Sequence, residues 1–173
     1  MSATATTLGK AFGVAAAAGA GRQLFETPAV TVANVERRQF WLTPTIGFEI
    51  EWSGNEPQWL VPWIHRLSTI LNLPQGWDSY DSRKIMASAA FGALNFLVPQ
   101  MHLITEPPEI FPHRSGGLQL EWRTDDSDLE VLALDEHQYR ISYSKNETEI
   151  VDDLITNDIQ PAIVALKEMA ISS

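Results

Sequence analysis

The 173-residue chain contains no cysteine. That removes disulfide frameworks, thiol nucleophiles and thiolate metal sites together, and it leaves the redox compartment open. The chain is also short of cations, with 12 Lys+Arg against 22 Asp+Glu and a formal net charge of −10. A general nucleic-acid binder needs a basic face, so no direct nucleic-acid contact is expected. No window holds the roughly 20 strongly apolar residues of a transmembrane helix. Residues 11–20 are apolar but mostly alanine, and Lys10 is the only cation before them. A secretory signal wants a charged start and a strongly apolar stretch, so the chain reads as cytoplasmic and without a membrane segment.

The motifs of several chemistries are missing too. The four histidines (His65, His102, His113, His137) show no His-x-His, His-x-x-x-His or His-Glu-x-x-His spacing, so neither a metal nor another cofactor is expected. There is no Gly-x-Ser-x-Gly elbow and no phosphate-cradling Gly-rich loop before a helix.

What is present is a hydrophobic fraction of 45%, six Trp and an uneven charge. Residues 1–60 carry a net −1, residues 61–120 are neutral, and residues 121–173 carry −9. The hydrophobic fraction and length fit one globular domain. Residues 1–27, rich in Ala, Gly and Thr, read as a flexible or Ala-rich arm, and residues 28–173 as the domain.

Within the domain, Phe48-Glu49-Ile50-Glu51-Trp52 alternates with period two, which predicts a half-buried strand with Phe48, Ile50 and Trp52 inward. Trp59, Trp63, Ile64, Leu67, Ile70 and Leu71 follow helical spacing, with a regular helix expected over 62–72. A second helix is expected over 83–98, with Ile85, Met86, Ala89, Ala93 and Leu97 on its apolar stripe and Pro99 stopping it. After a Pro-punctuated connection over 99–112, short strand-like runs at 118–123, 129–134 and 139–144 are separated by turn residues and read as a meander. Residues 146–157 are ambiguous. A last helix is expected over 159–170, capped by Asp158. The fold class is therefore α+β: a mainly antiparallel sheet with a meander over 117–144, and two or three helices on one face.

Three constellations bear on function. Trp77-Asp78-Ser79-Tyr80-Asp81-Ser82 precedes the second helix. Asp78 and Asp81 read either as a carboxylate pair, metal-ligating or acid/base, or, more simply, as carboxylates capping the helix N-terminus, with Trp77 and Tyr80 as anchors. His113-Arg114-Ser115-Gly116-Gly117 leads into Leu118-Gln119-Leu120-Glu121-Trp122-Arg123, whose alternation puts Leu118, Leu120 and Trp122 on one face and Glu121 and Arg123 on the other. Asp125, Asp126, Asp128 and Glu130 form a dense acidic turn that lacks the glycine and ligand spacing of a calcium loop. It suits a solvated hairpin end or a docking patch for basic side chains.

The W-D-x-Y segment (Trp77, Asp78, Tyr80) and the G-G-x-x-L-E-W strand (Gly116, Gly117, Leu120, Glu121, Trp122) resemble those of a family of small uncharacterised bacterial and phage-associated proteins. The resemblance covers roughly residues 60–145. It departs after Tyr80, where Asp81-Ser82 replaces Gly-Ala, and it implies no catalytic residue.

Two functions remain. One is a non-enzymatic interaction module of antitoxin, immunity or accessory type. It would bind a basic partner protein through Trp77, Tyr80, Glu121, Trp122, Asp125, Asp126 and Asp128, with homo- or hetero-oligomers possible. The other is a small hydrolase or nuclease-like enzyme using Asp78, Asp81, Glu121 and His113, which requires those groups to meet.

Overall fold

The computed structural model describes residues 4–6, 35–53, 55–100, 102 and 106–172. Their elements run β1 (Thr4–Thr6), β2 (Val35–Thr43), β3 (Ile46–Ser53), α1 (Leu60–Leu71), α2 (Ala87–Leu97), β4 (Glu109–Pro112), β5 (Leu118–Arg123), β6 (Ser127–Ala133), β7 (Tyr139–Lys145), β8 (Thr148–Thr156) and α3 (Gln160–Ser172). Of the expected arm, only β1 lies within the described residues, and it pairs antiparallel with β3.

The period-two pattern of β3 does what it predicts. Phe48, Ile50 and Trp52 are buried, and Glu49 and Glu51 face away. The small antiparallel sheet has the order β1-β3-β2. The larger one is an antiparallel meander, β4-β5-β6-β7-β8, in which each strand pairs with the next. Helix α1 buries Leu60, Trp63, Ile64, Leu67, Ile70 and Leu71, with Pro62 in the first turn, where its missing N–H costs nothing. It packs on β2 and β4, while α2 packs on β5 and β6 and α3 on β6 and β7. One core joins both sheets, from Phe40, Phe48 and Ile50 to Leu120, Val131 and Ile141. The described residues thus form a single α+β domain with the helices on one face of the meander and the other face open. Among them, no helix is long and apolar enough to cross a membrane.

Three expectations need correction. The second helix begins at Ala87 rather than Arg83, because Arg83 and Met86 are bonded through their backbone N–H groups to the β4–β5 turn. Arg83 N–H donates to Arg114 O (3.0 Å) and Met86 N–H to Gly116 O (2.9 Å). Met86 is the N-cap, with extended φ −84° and ψ 138° and no side-chain cap, so Asp78 and Asp81 do not cap α2. The Pro-punctuated connection holds a strand of its own, β4, and the ambiguous segment 146–157 is mostly β8.

β8 is where tertiary context overrides the signals read in sequence. It begins after a two-residue turn, Asn146-Glu147, both at positive φ (49° and 60°), the primed geometry that matches strand twist. Its register slips against β7 between Ile141 and Tyr143 and again between Tyr143 and Ser144, and Asp153 sits at φ 45°. Asp158 behaves as expected at the start of α3, its Oδ1 accepting from Gln160 N–H (2.9 Å).

Candidate functional site

The W-D-x-Y segment is a loop folded on itself and clamped to the β4–β5 turn. Asp78 Oδ1 accepts from Tyr80 N–H (2.9 Å), an Asx turn that places Ser79 at φ 65°. The other carboxylate oxygen pairs with Arg114 Nε at 3.0 Å. Burial opposes ionisation of Asp78, but the Tyr80 N–H, the Ser82 hydroxyl and Arg114 together hold its pKa below the ordinary value. Arg114 Cζ lies 5.5 Å from the Tyr80 ring centroid, so the guanidinium is fixed at its edge by Asp78 and at its face by the ring. Tyr80 is 74% exposed, Trp77 is half-buried and Asp81 is exposed.

The turn itself is held by His113 and two glycines. His113 Nδ1 lies 2.8 Å from Ser115 Oγ and also accepts Ser115 N–H (3.3 Å). Burial lowers the His113 pKa, and Arg140 and Arg114 lower it further. Gly116 has φ 92°, and a Cβ there would lie 2.9 Å from Lys84 O; one on Gly117 would lie 2.7 Å from Ala133 O. Both glycines are therefore required by close backbone approach.

Glu121 belongs to a different place. On the open face of the meander, Glu109, Glu121 and Glu130 stand in register on adjacent strands. Gln119 Nε2 donates to Glu121 Oε1 (2.8 Å) and Glu130 Oε2 (3.0 Å). Arg123 bridges Glu121 (3.2 Å) and Asp128 (3.1 Å). Burial raises the Glu130 pKa, and the charges of Glu121 and Asp128 add to the shift. Asp78 and Glu121 share no hydrogen bond or ion pair, and the structure assembles no single group from Asp78, Asp81, Glu121 and His113. Among the described residues, no three His, Asp or Glu side chains are arranged to hold a metal. Trp122, expected in a binding surface, lies in the core against Phe96 (ring centroids 5.9 Å apart).

The acidic turns meet at one end of the meander. Asn146 N–H donates to Asp126 O (2.7 Å), which joins the β5–β6 and β7–β8 turns around an open depression of ≈ 460 Å³ lined by Asp125, Asp126, Asp128 and Glu147 among others. The hydroxyls of Ser127 and Thr124 both bond Asp126 Oδ1 (2.9 Å each) and hold its pKa down, so it stays charged.

Sequence reasoning missed β8, which adjoins this end. It is an edge strand of nine residues, none buried, with Ile150 59%, Leu154 40% and Ile155 58% exposed beside Glu149, Asp152 and Asp153. Its missed signal was the aliphatic-acidic mixture of 149–155, which the bulges hide from a period-two reading. The opposite edge, β4, is blunted by Pro108 and Pro112, and Trp63 Nε1 caps Pro108 O at 3.2 Å. No family model matches the chain, and neither a curated protein nor a solved structure is significantly similar to it.

Proposed function

We propose that this is a non-enzymatic, cytoplasmic interaction module of antitoxin, immunity or accessory type, which docks a basic partner protein on β8 and the adjoining acidic turns. The observation that carries the reading is β8 itself. A sheet edge with no proline, no covering element among the described residues and three exposed aliphatics is an incomplete interface. Stable interfaces combine an apolar centre with a charged rim, and here Ile150 and Ile155 supply the first and Glu147, Glu149, Asp152 and Asp153 the second. The carboxylates select a cationic partner and raise its rate of encounter.

The test is capture of binding proteins from the native cell by wild type, by Ile150→Lys/Ile155→Lys and by a surface control, Thr45→Lys. A partner held by wild type and the control and lost from the β8 variant is the expected result. Equal retention by all three, or no partner under any condition, overturns the reading.

A further inference from the structure

One imidazole holds the β4–β5 turn shut. The His113 N–H donates to Gly117 O (3.0 Å) and the Gly116 N–H to His113 O (2.9 Å). Inside that turn, His113 Nδ1 accepts the Ser115 N–H at 3.3 Å and lies 2.8 Å from the Ser115 hydroxyl. These bonds assign the ring proton to Nε2 and leave the ring neutral. The segment 78–86 hangs on the same turn. Arg114 O accepts the Arg83 N–H, Gly116 O accepts the Met86 N–H, and the Arg114 guanidinium holds Asp78 and the Tyr80 ring. Between Arg83 and Met86, Ile85 is buried.

The surroundings of His113 oppose a positive ring. Burial does so first, then Arg140 of β7 and Arg114 of the turn itself. The carboxylates beside these cations are already committed, Asp78 to Arg114 (3.0 Å) and Asp153 of β8 to Arg140 (3.4 Å). Asp135, Glu136 and His137 of the β6–β7 turn lie at the same end of the meander. Among the described residues, none of them bonds to His113.

We propose that His113 is a proton-operated latch: the neutral ring closes the β4–β5 turn, and the protonated ring opens it and frees the segment 78–86 while the meander stays folded. Protonation makes Nδ1 a donor. The Ser115 hydroxyl can turn to accept from it, but the Ser115 N–H cannot turn and is left against another N–H. A third cation then stands beside Arg114 and Arg140. The segment is tied down by few backbone bonds, so it opens at a lower free energy than the sheet, and its release bares Ile85.

In the closed turn the ring's pKa lies below its ordinary value, and in the open one it returns to about 6.5. Closure is therefore complete above that value and weakens as pH falls from it toward the closed-state value, because only the open form then takes up the proton. Asp78 stays ionised through this window, since its own pKa is held below the ordinary one.

The experiment is amide hydrogen exchange of the full chain, followed by NMR from about pH 7.5 to about pH 5, either side of the ordinary imidazole value, and corrected for the intrinsic pH dependence of exchange. The Arg83 and Met86 amides should lose protection below about pH 6.5, by up to about tenfold per pH unit, while those of Leu120 and Val131 in the sheet keep theirs. His113→Asn retains a side-chain acceptor for the Ser115 N–H and does not titrate, so its Arg83 and Met86 amides should stay protected throughout. Arg140→Gln removes one opposing cation. His113 should then titrate at higher pH, and the loss at Arg83 and Met86 should be smaller. Protection at those two amides that does not fall with pH, or falls equally in His113→Asn, overturns the proposal. So does a simultaneous loss at Leu120 and Val131, which would mean that the whole sheet opens. If His113→Asn does not fold, Arg140→Gln decides, and an unchanged loss there overturns the latch.

Discussion

Glu121 and Glu130 face each other across β5 and β6, and the side-chain amide of Gln119 donates to both, at 2.8 and 3.0 Å. Two like charges opposite one another on a sheet oppose folding, and the amide offsets only part of that. The folded-state pKa of Glu130 is raised by burial first and by its acidic neighbours second. A carboxyl whose folded value lies above its unfolded one favours the protonated form, so the native state gains below the unfolded value and loses that gain as pH rises. Glu130→Gln should therefore stabilise the protein at pH 7 by roughly 0.3–1 kcal/mol, discounted for partial exposure. The gain should vanish below about pH 4. Thermal melts at the two pH values check this, and a loss of stability at pH 7 would contradict it.

Asp78 shifts the other way. Its folded-state pKa is lowered, despite burial, by the Tyr80 N–H, Ser82 and Arg114. The stabilisation it contributes is complete above the unfolded value and is lost as pH falls through the folded one. Asp78→Asn keeps an acceptor for Tyr80 N–H and removes the charge. The variant should melt slightly below wild type at pH 7 and together with it below about pH 3.

Glu147 occupies the second position of the β7–β8 turn at φ 60°. A side chain in the left-handed region costs roughly 1–2 kcal/mol, and the greater freedom of an unfolded glycine takes back about 0.5–1. Glu147→Gly should then raise stability by about 0.5–1 kcal/mol, read as a shift in the denaturant midpoint. A destabilised variant would show that the carboxylate matters more to the fold than its backbone strain.

Tyr139 and Gly92 fix α2 to the sheet. The Tyr139 hydroxyl donates to Gly92 O (3.1 Å), and burial, with Asp135 and Glu136, pushes its pKa up to about 12. Any Cβ on Gly92 would collide with Asp135 O. Tyr139→Phe should cost about 1–2 kcal/mol and Gly92→Ala about 1–3 kcal/mol. The double variant should cost less than the sum, because both act on one contact. Strict additivity would refute the shared contact.

Much of the fold was legible because its signals are local. The alternation of Phe48, Ile50 and Trp52, and of Leu118, Leu120 and Trp122, set the buried faces of β3 and β5, and the spacing of Trp63, Ile64, Leu67 and Ile70 set that of α1. The start of α2 was misread because Ile85 is buried, at 3% exposure, without being helical. The Gly116 carbonyl takes the Met86 N–H, a competing partner that no helical periodicity reveals. β8 was not legible because Asn146-Glu147 lacks the glycine that announces a primed turn, and two bulges break its alternation.

The sequence alone determined the missing thiol chemistry, the concentration of negative charge after residue 120, and the residue types of the W-D-x-Y and G-G-x-x-L-E-W motifs, since composition and short-range pattern do not depend on how the chain is folded. Only the tertiary structure decided what those residues touch. It gave Asp78 to Arg114 rather than to a helix end, set Glu121 apart beside Glu130, buried Trp122, and left β8 uncovered by any other described residue. Each outcome depends on antiparallel register between segments distant in sequence, where a shift of one residue exchanges the faces.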